Sequence, residues 1–253
     1  KPFGTDLKSA IELQASISKH LKETQIYRID HYLGKSALQN ILWTRFSNSI
    51  FEHMWNNEHI DHIQITNHET LGVGERTQFY DATGALRDMT QSHLLQMLAL
   101  TTMEKPNSFS PDDIRIEKIK VLKSIRPIPL DNIERFAFRA QYKSGNIEKE
   151  GKVKGYLEEL EGNKSVVETY AAIKLFIDSP RWKDIPVYLR TAKRLNQSGT
   201  SISIKFKNSN KDKKIKKNNW LVFNIQPKES TYFEIQTKVP GLNEAELRTT
   251  KLE

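Results

Sequence analysis

The sequence predicts an α+β fold: a large, mostly antiparallel sheet with helices packed on one face. Two observations carry this. Helical patterns fill the first half of the chain and strand patterns the second, which is not the alternation of βαβ units. Val167, Thr169, Ala171, Ile173, Leu175 and Ile177 alternate without a break, the period of a strand with one face covered. The 253 residues, 37% hydrophobic, suffice for a real core. With no internal repeat and no Pro- or Ser-rich linker, a single domain over residues 1–253 is expected.

Taken in order, Thr5 or Asp6 can cap a first helix whose apolar stripe is Leu7, Ile11 and Leu21. Residues 25–29 read as a short strand. A second helix begins near Ser36, with Leu38, Ile41, Leu42 and Phe46 at helical spacing. Ile63 and Ile65 share one face of a strand reaching Glu69, and Gly72 and Gly74 turn the chain toward Phe79 and Tyr80. A third helix spans about 84–102, with Leu86, Met89, His93, Met97 and Leu100 on one stripe. Asp112 or Asp113 can cap a fourth toward Ser124. Strands are expected over 134–142, 166–177, 200–206, 220–226 and 231–238.

Composition excludes several classes. The longest apolar runs are far below the ~18 residues of a transmembrane helix, so no membrane role is expected. The chain has no cysteine, which removes disulfides, thiol catalysis and Cys-ligated metals, and suits a cytoplasmic protein. The net charge is +8, but residues 205–217 carry seven lysines and one Asp, leaving +2 for the rest. After Phe206 no aromatic residue interleaves the lysines there, so a solvated loop between strands is favoured over nucleic-acid binding. There is no Gly-x-Gly-x-x-Gly and no P-loop. His59, His62 and His68 lack metal-ligand spacing, so no metal is expected.

Two places carry chemistry. In Asp30-His31-Tyr32-Leu33-Gly34-Lys35, an imidazole, a phenol and an ammonium can donate to one anion, and the helix from Ser36 aims free N–H groups at the same point. The segment reads as a phosphate cradle or as a polar strand-to-helix turn around a buried tyrosine. His93, between Met89 and Met97, reads as a core histidine or as a general base, with Asp88 and Ser92 making its surroundings polar. Glu69, at a strand end, is a further carboxylate candidate.

The six-residue string 30–35, together with Lys1-Pro2-Phe3-Gly4, Gln39-Asn40, Arg45-Phe46, Trp55-Asn56, Asp88-Met89, Gln91, His93-Leu94-Leu95-Gln96, Met103-Glu104-Lys105-Pro106, Arg181-Trp182 and Gln226-Pro227, resembles glucose-6-phosphate dehydrogenases, in order over essentially the whole chain. The resemblance implies the fold of that family's C-terminal domain. It also implies oxidation of glucose 6-phosphate to 6-phosphogluconolactone with hydride transfer to NADP or NAD, the first step of the pentose phosphate pathway. By resemblance His93 is the base and Asp30 its carboxylate partner. Lys1, His31, Tyr32, Lys35, Glu69, Asp88 and Lys193 contact substrate, with Gln226 a weaker candidate. Lys1 also meets the coenzyme, and Lys1-Pro2 matches the family's cis-proline link. The family's dimers form through the sheet, so a homodimer is expected.

Departures are Ser92 for a common Asn and Ala192 for a common Gly. Ser198, Gly199 and Asn224 stand at positions that are basic in members with a second, structural NADP, which is not expected here. Members begin with a Rossmann coenzyme domain. This chain is therefore expected to be the substrate domain without it, inactive by itself. The alternative is a non-catalytic sugar-phosphate-binding module.

Overall fold

The computed structural model describes residues 3–148, 150–208, 218–240 and 247–253. Lys1, Pro2 and most of the lysine-rich loop lie outside them. The chain divides into two compact units, Lys1–His31 and Tyr32–Glu253.

In the first unit, α1 (Leu7–Ser18) is capped by Asp6, whose Oδ1 accepts from Ser9 N–H at 2.7 Å. Within this unit nothing covers the predicted stripe, and α1 has no buried residue. The strand predicted over 25–29 does not form. A 3₁₀ turn, Glu23–Gln25, ends there, and Tyr27 and Ile29 stay 83% and 88% exposed with no paired strand. Local alternation marks a strand only where a neighbour accepts its hydrogen bonds.

The second unit is built on an eight-stranded sheet. Its strands are β1 (Ile60–His68), β2 (Ala137–Ala140), β5 (Tyr170–Leu175), β6 (Val187–Ala192), β7 (Gly199–Phe206), β8 (Trp220–Gln226), β9 (Ser230–Lys238) and β10 (Leu247–Leu252). They lie in the order β10-β9-β8-β7-β1-β6-β5-β2. A separate hairpin pairs β3 (Gly145–Ile147) with β4 (Gly151–Val153). Every pairing in the large sheet is antiparallel except β1 with β6. The expected strand over 134–142 shortens to β2, because a 3₁₀ helix, Leu130–Arg135, takes its start. The strand expected over 166–177 shortens to β5, and β3, β4, β6 and β10 are additions to those the sequence predicts.

Helices α2 (Ser36–Phe46), α3 (Ser49–Met54), α4 (Thr77–Asp81), α5 (Leu95–Thr102), α6 (Pro111–Lys123) and α7 (Tyr156–Glu159) complete this unit. The cap of α6 is Ser110 rather than Asp112 or Asp113, since its side chain accepts from Asp113 N–H. Ile63, Ile65, Val187, Leu189, Ile202, Ile204, Leu221 and Phe223 face Leu38, Ile41, Leu94, Met97 and Leu98 in one buried cluster.

The predicted third helix is continuous but not uniform. A π-helix, Leu86–Leu94, runs directly into α5. The wider π turn advances the inward line, so Ala85, Thr90, Leu94 and Leu98 are buried while Met89 and His93 are only partly so.

Both ends of this helix are pinned. At the start, Leu86 N–H donates to Glu168 Oε1 at 2.9 Å and Ala85 N–H to Glu168 O at 3.1 Å. Gly84 makes this approach possible: its φ is +74°, and a Cβ there would lie 2.6 Å from Glu168 Oε1. At the end, Arg45 Nη1 donates to Leu100 O, Trp55 Nε1 to Thr101 O, Trp182 Nε1 to Thr102 O and Arg45 Nη2 to Met103 O, at 3.3, 2.9, 2.7 and 2.7 Å. Carbonyls orphaned by the helix terminus are thus met by side chains of three other segments. Burial pushes the Arg45 guanidinium down to about 9, and it lies over the rings of Phe46 and Trp55.

Replacing Arg45 by Met preserves bulk but leaves two buried carbonyls without donors, at about 1–3 kcal/mol each. The urea midpoint of Arg45→Met is expected to fall accordingly. An unchanged midpoint would show that other groups satisfy those carbonyls.

Candidate functional site

Period 2 on β1 carries the apolar face Ile63, Ile65 onward to Asn67, and on β7 it carries Ile204, Ile202 back to Thr200. The register aligns these two with Thr191 on β6 and Gln226 on β8, a row of four polar residues across four neighbouring strands. Asn67, 1% exposed, donates from Nδ2 to Thr200 Oγ1 at 2.8 Å and to the Tyr32 hydroxyl at 2.9 Å. Thr191 Oγ1 donates to Asn67 Oδ1 at 3.5 Å. The helix-covered face therefore turns polar at one edge, and every member of the row is hydrogen-bonded.

Tyr32 stands on this row, its hydroxyl also accepting from Gln226 Nε2 at 3.4 Å. The Gln226–Pro227 bond is cis. Gln226 Oε1 accepts from Lys35 Nζ at 2.7 Å, and that ammonium sits 5.3 Å from the centre of the Tyr32 ring. Lys35 is the residue before α2, at the positive end of the helix dipole; its side chain makes no cap, and its carbonyl accepts from Leu38 N–H at 3.1 Å and Gln39 N–H at 3.2 Å. The Tyr32 ring also meets the His93 imidazole, centroids 4.5 Å apart and planes 34° from parallel. Tyr32, Lys35, His93 and Gln226 thus form one constellation.

A second group lies where the parallel pair ends. β1 and β6 run in the same direction, so the residues that follow them, Glu69 and Lys193, leave the sheet at the same edge. Lys193 is 8% exposed, and its Nζ forms an ion pair with Glu69 Oε2. The same ammonium lies 5.5 Å from the Tyr80 ring centre. Burial, then the charges of Asp88 and Glu168, raise the Tyr80 hydroxyl well above its ordinary pKa. The π-helix that carries Asp88 and His93 packs across β6 and β1. An ammonium paired with a carboxylate beside a buried ring suits a polyhydroxylated ligand, and Lys35 beside a helix start suits an anion.

The structure thus brings together Tyr32, Lys35, His93 and Gln226, and separately Glu69 and Lys193, while Asp88 lies on the π-helix that carries His93. Asp30 and His31 close the first unit, Asp30 half-buried and His31 exposed. Lys1 lies outside the described residues. Sequence reasoning missed Asn67, Thr191 and Thr200. A signal existed: each continues the alternation of an apolar face with a polar residue. Among the described residues, no helix is long and apolar enough to cross a membrane.

Comparison with known proteins identifies the family. Residues 42–253 match the family "Glucose-6-phosphate dehydrogenase, C-terminal domain", and residues 1–40 match "Glucose-6-phosphate dehydrogenase, NAD binding domain". A glucose-6-phosphate 1-dehydrogenase of Chlamydia muridarum is 46% identical over 253 residues, covering 96% of this chain and 49% of its own length. That of Rhizobium meliloti is 45% identical over 258 residues, covering 100% and 52%. A solved glucose-6-phosphate dehydrogenase in complex with its substrate glucose-6-phosphate superposes with TM-score 0.89 at 41% identity, over all of this chain and 51% of that one. A glucose-6-phosphate 1-dehydrogenase from Mycobacterium avium superposes with TM-score 0.86 at 32% identity, over 100% and 53%. The chain spans about half the length of the curated relatives it matches.

Proposed function

Because this chain belongs to the glucose-6-phosphate dehydrogenase family, we propose that it is the sugar-phosphate half of a longer enzyme that oxidises glucose 6-phosphate to the 6-phosphogluconolactone with NADP or NAD. The share of each relative that it covers supports the first part. The observation that supports the reaction is the packing of the His93 imidazole on the ring of Tyr32, whose hydroxyl shares Gln226 with the Lys35 ammonium.

Lys35, with Tyr32 and His31, binds the phosphate. Glu69, Asp88 and Lys193 hold the sugar hydroxyls and the far side of the ring. His93 takes the proton of the C1 hydroxyl as the C1–H bond gives up its hydride and the C1–O bond becomes a carbonyl. To Asp30 we assign the carboxylate's role of orienting the imidazole and stabilising its cation.

The described residues form no dinucleotide cradle, since the chain has no glycine-rich strand–turn–helix. Hydride acceptance is the chemistry a bound nicotinamide would supply. Proton removal and substrate positioning fall to this chain's side chains.

We further infer a cytoplasmic homodimer joined through the sheet face opposite the helices. That face presents Gln64, Thr66, Phe138, Tyr188 and Arg190 around an open hollow of about 530 Å³.

The full-length protein is expected to reduce NADP or NAD with glucose 6-phosphate and not without it. Tight sugar-phosphate binding with no coenzyme reduction would instead favour a non-catalytic binding module.

A further inference from the structure

The chain leaves β6 through Lys193 and then Arg194, whose φ is +59°. This is the left-handed region, which a residue with a Cβ adopts at a cost and holds only when its surroundings enforce it. Two backbone hydrogen bonds tie this turn to the segment after β1: Arg194 N–H to Leu71 O at 3.3 Å and Leu195 N–H to Glu69 O at 3.0 Å. Lys193 N–H is anchored on Thr169 O at 3.0 Å. The turn that fixes Lys193 is thus also the turn that fixes Glu69, its ion-pair partner.

The Arg194 side chain reaches away from the sugar-facing group and is clamped. Nη2 donates to Glu159 Oε1 at 2.8 Å, and Nη1 to Glu150 Oε2 at 3.0 Å. Glu159 Oε2 accepts from the Tyr142 hydroxyl at 2.7 Å and from Gly74 N–H at 3.1 Å. Tyr142, in turn, accepts from Val73 N–H at 3.0 Å. One carboxylate therefore joins the Arg194 turn to the 69–74 segment from the side remote from substrate. Burial works to raise the Glu159 carboxyl, but the Tyr142, Arg194 and Gly74 hydrogen bonds overcome it and hold it below the usual carboxylate range. Gly72 leaves room for the clamp: a Cβ there would meet Arg194 Nε and lie 2.6 Å from Glu159 Oε1.

We propose that Arg194, locked by Glu159, is a positioning residue that holds the left-handed turn presenting Lys193 and Glu69 to the sugar. The proposal rests on the reading of Lys193 as a substrate contact. Arg194 touches no reacting atom and acts through its neighbour.

The test uses the full-length enzyme with Lys193→Ala, Arg194→Met, Glu159→Gln and the double variant Lys193→Ala/Arg194→Met. Lys193→Ala is expected to raise the KM for glucose 6-phosphate about tenfold or more, the loss of a charged hydrogen bond. Arg194→Met and Glu159→Gln are expected to raise it about three- to tenfold, with kcat and the coenzyme KM changing less, and Arg194→Lys to recover part of the loss. In the Lys193→Ala background, Arg194→Met is expected to add less than about twofold, because the residue it positions is gone.

If Arg194→Met does not fold, Arg194→Gly takes its place, since glycine accepts this φ without strain. A folded Arg194 variant with wild-type KM beside a weakened Lys193→Ala overturns the proposal, as does an undiminished Arg194 effect in the double variant. A wild-type KM for Lys193→Ala itself overturns the reading beneath it.

Discussion

Replacing His93 by Asn in the full-length protein is expected to lower kcat by about 10²–10⁴-fold, the usual worth of a general base. The interaction lost is one that strengthens only as the C1 hydroxyl gives up its proton, so substrate affinity should change little. A histidine that served only the core would behave differently: its removal would lower the melting temperature, and activity would fall in proportion to folded protein. The structure weighs against that outcome. The inward line of the helix is Thr90, Leu94 and Leu98, while His93 is half-buried against the Tyr32 ring. Glu168 at one end and Arg45, Trp55 and Trp182 at the other hold the helix without it. Asp30→Asn should lower kcat too, and the double variant should lose far less than the product of the singles, since the two act as one unit. Melting temperature and kcat measured on the same samples decide the matter. A folded His93→Asn enzyme within tenfold of wild type removes His93 from the mechanism.

The second large effect is expected at Lys35. Its ammonium is oriented by Gln226 Oε1 at 2.7 Å, and the residue itself immediately precedes α2. Lys35→Ala removes a charged hydrogen bond worth about 1.5–3 kcal/mol, so the KM for glucose 6-phosphate should rise by about ten- to a hundredfold. The same substitution should matter much less for unphosphorylated glucose, which brings no anion to the site. Equal weakening of both sugars would take the phosphate away from Lys35.

Much of this molecule is legible in its residues alone. The alternation within 167–177, the stripe of α2 and the run 220–226 each report a local period that survives in the fold, as β5, α2 and β8, whereas the pattern over 25–29 does not. The string 30–35 and the histidine at 93 are visible as chemistry for the same reason: they are residue types that a hydrophobic core does not ask for. Their neighbours are less visible. Asn67 and Thr200 look like ordinary polar positions until register places them in one row with Thr191 and Gln226.

What tertiary structure alone decided is which segments meet. A strand's period is silent about its partner and its direction, because pairing is settled by burial and hydrogen bonds between residues far apart in the chain. Val187–Ala192 carries too short a pattern to announce itself. Yet its parallel pairing with β1 is what delivers Lys193 and Glu69 to the same edge. The pattern over 84–102 predicts one stripe through Met89 and His93. The π turn, fastened between Glu168 and the Arg45, Trp55 and Trp182 donors, advanced the inward line to Thr90 and Leu94 and left the imidazole facing Tyr32. The sequence by itself therefore determined the kinds of element and the candidate chemistry. Long-range contacts determined the winding, the register and the strand direction that bring that chemistry together.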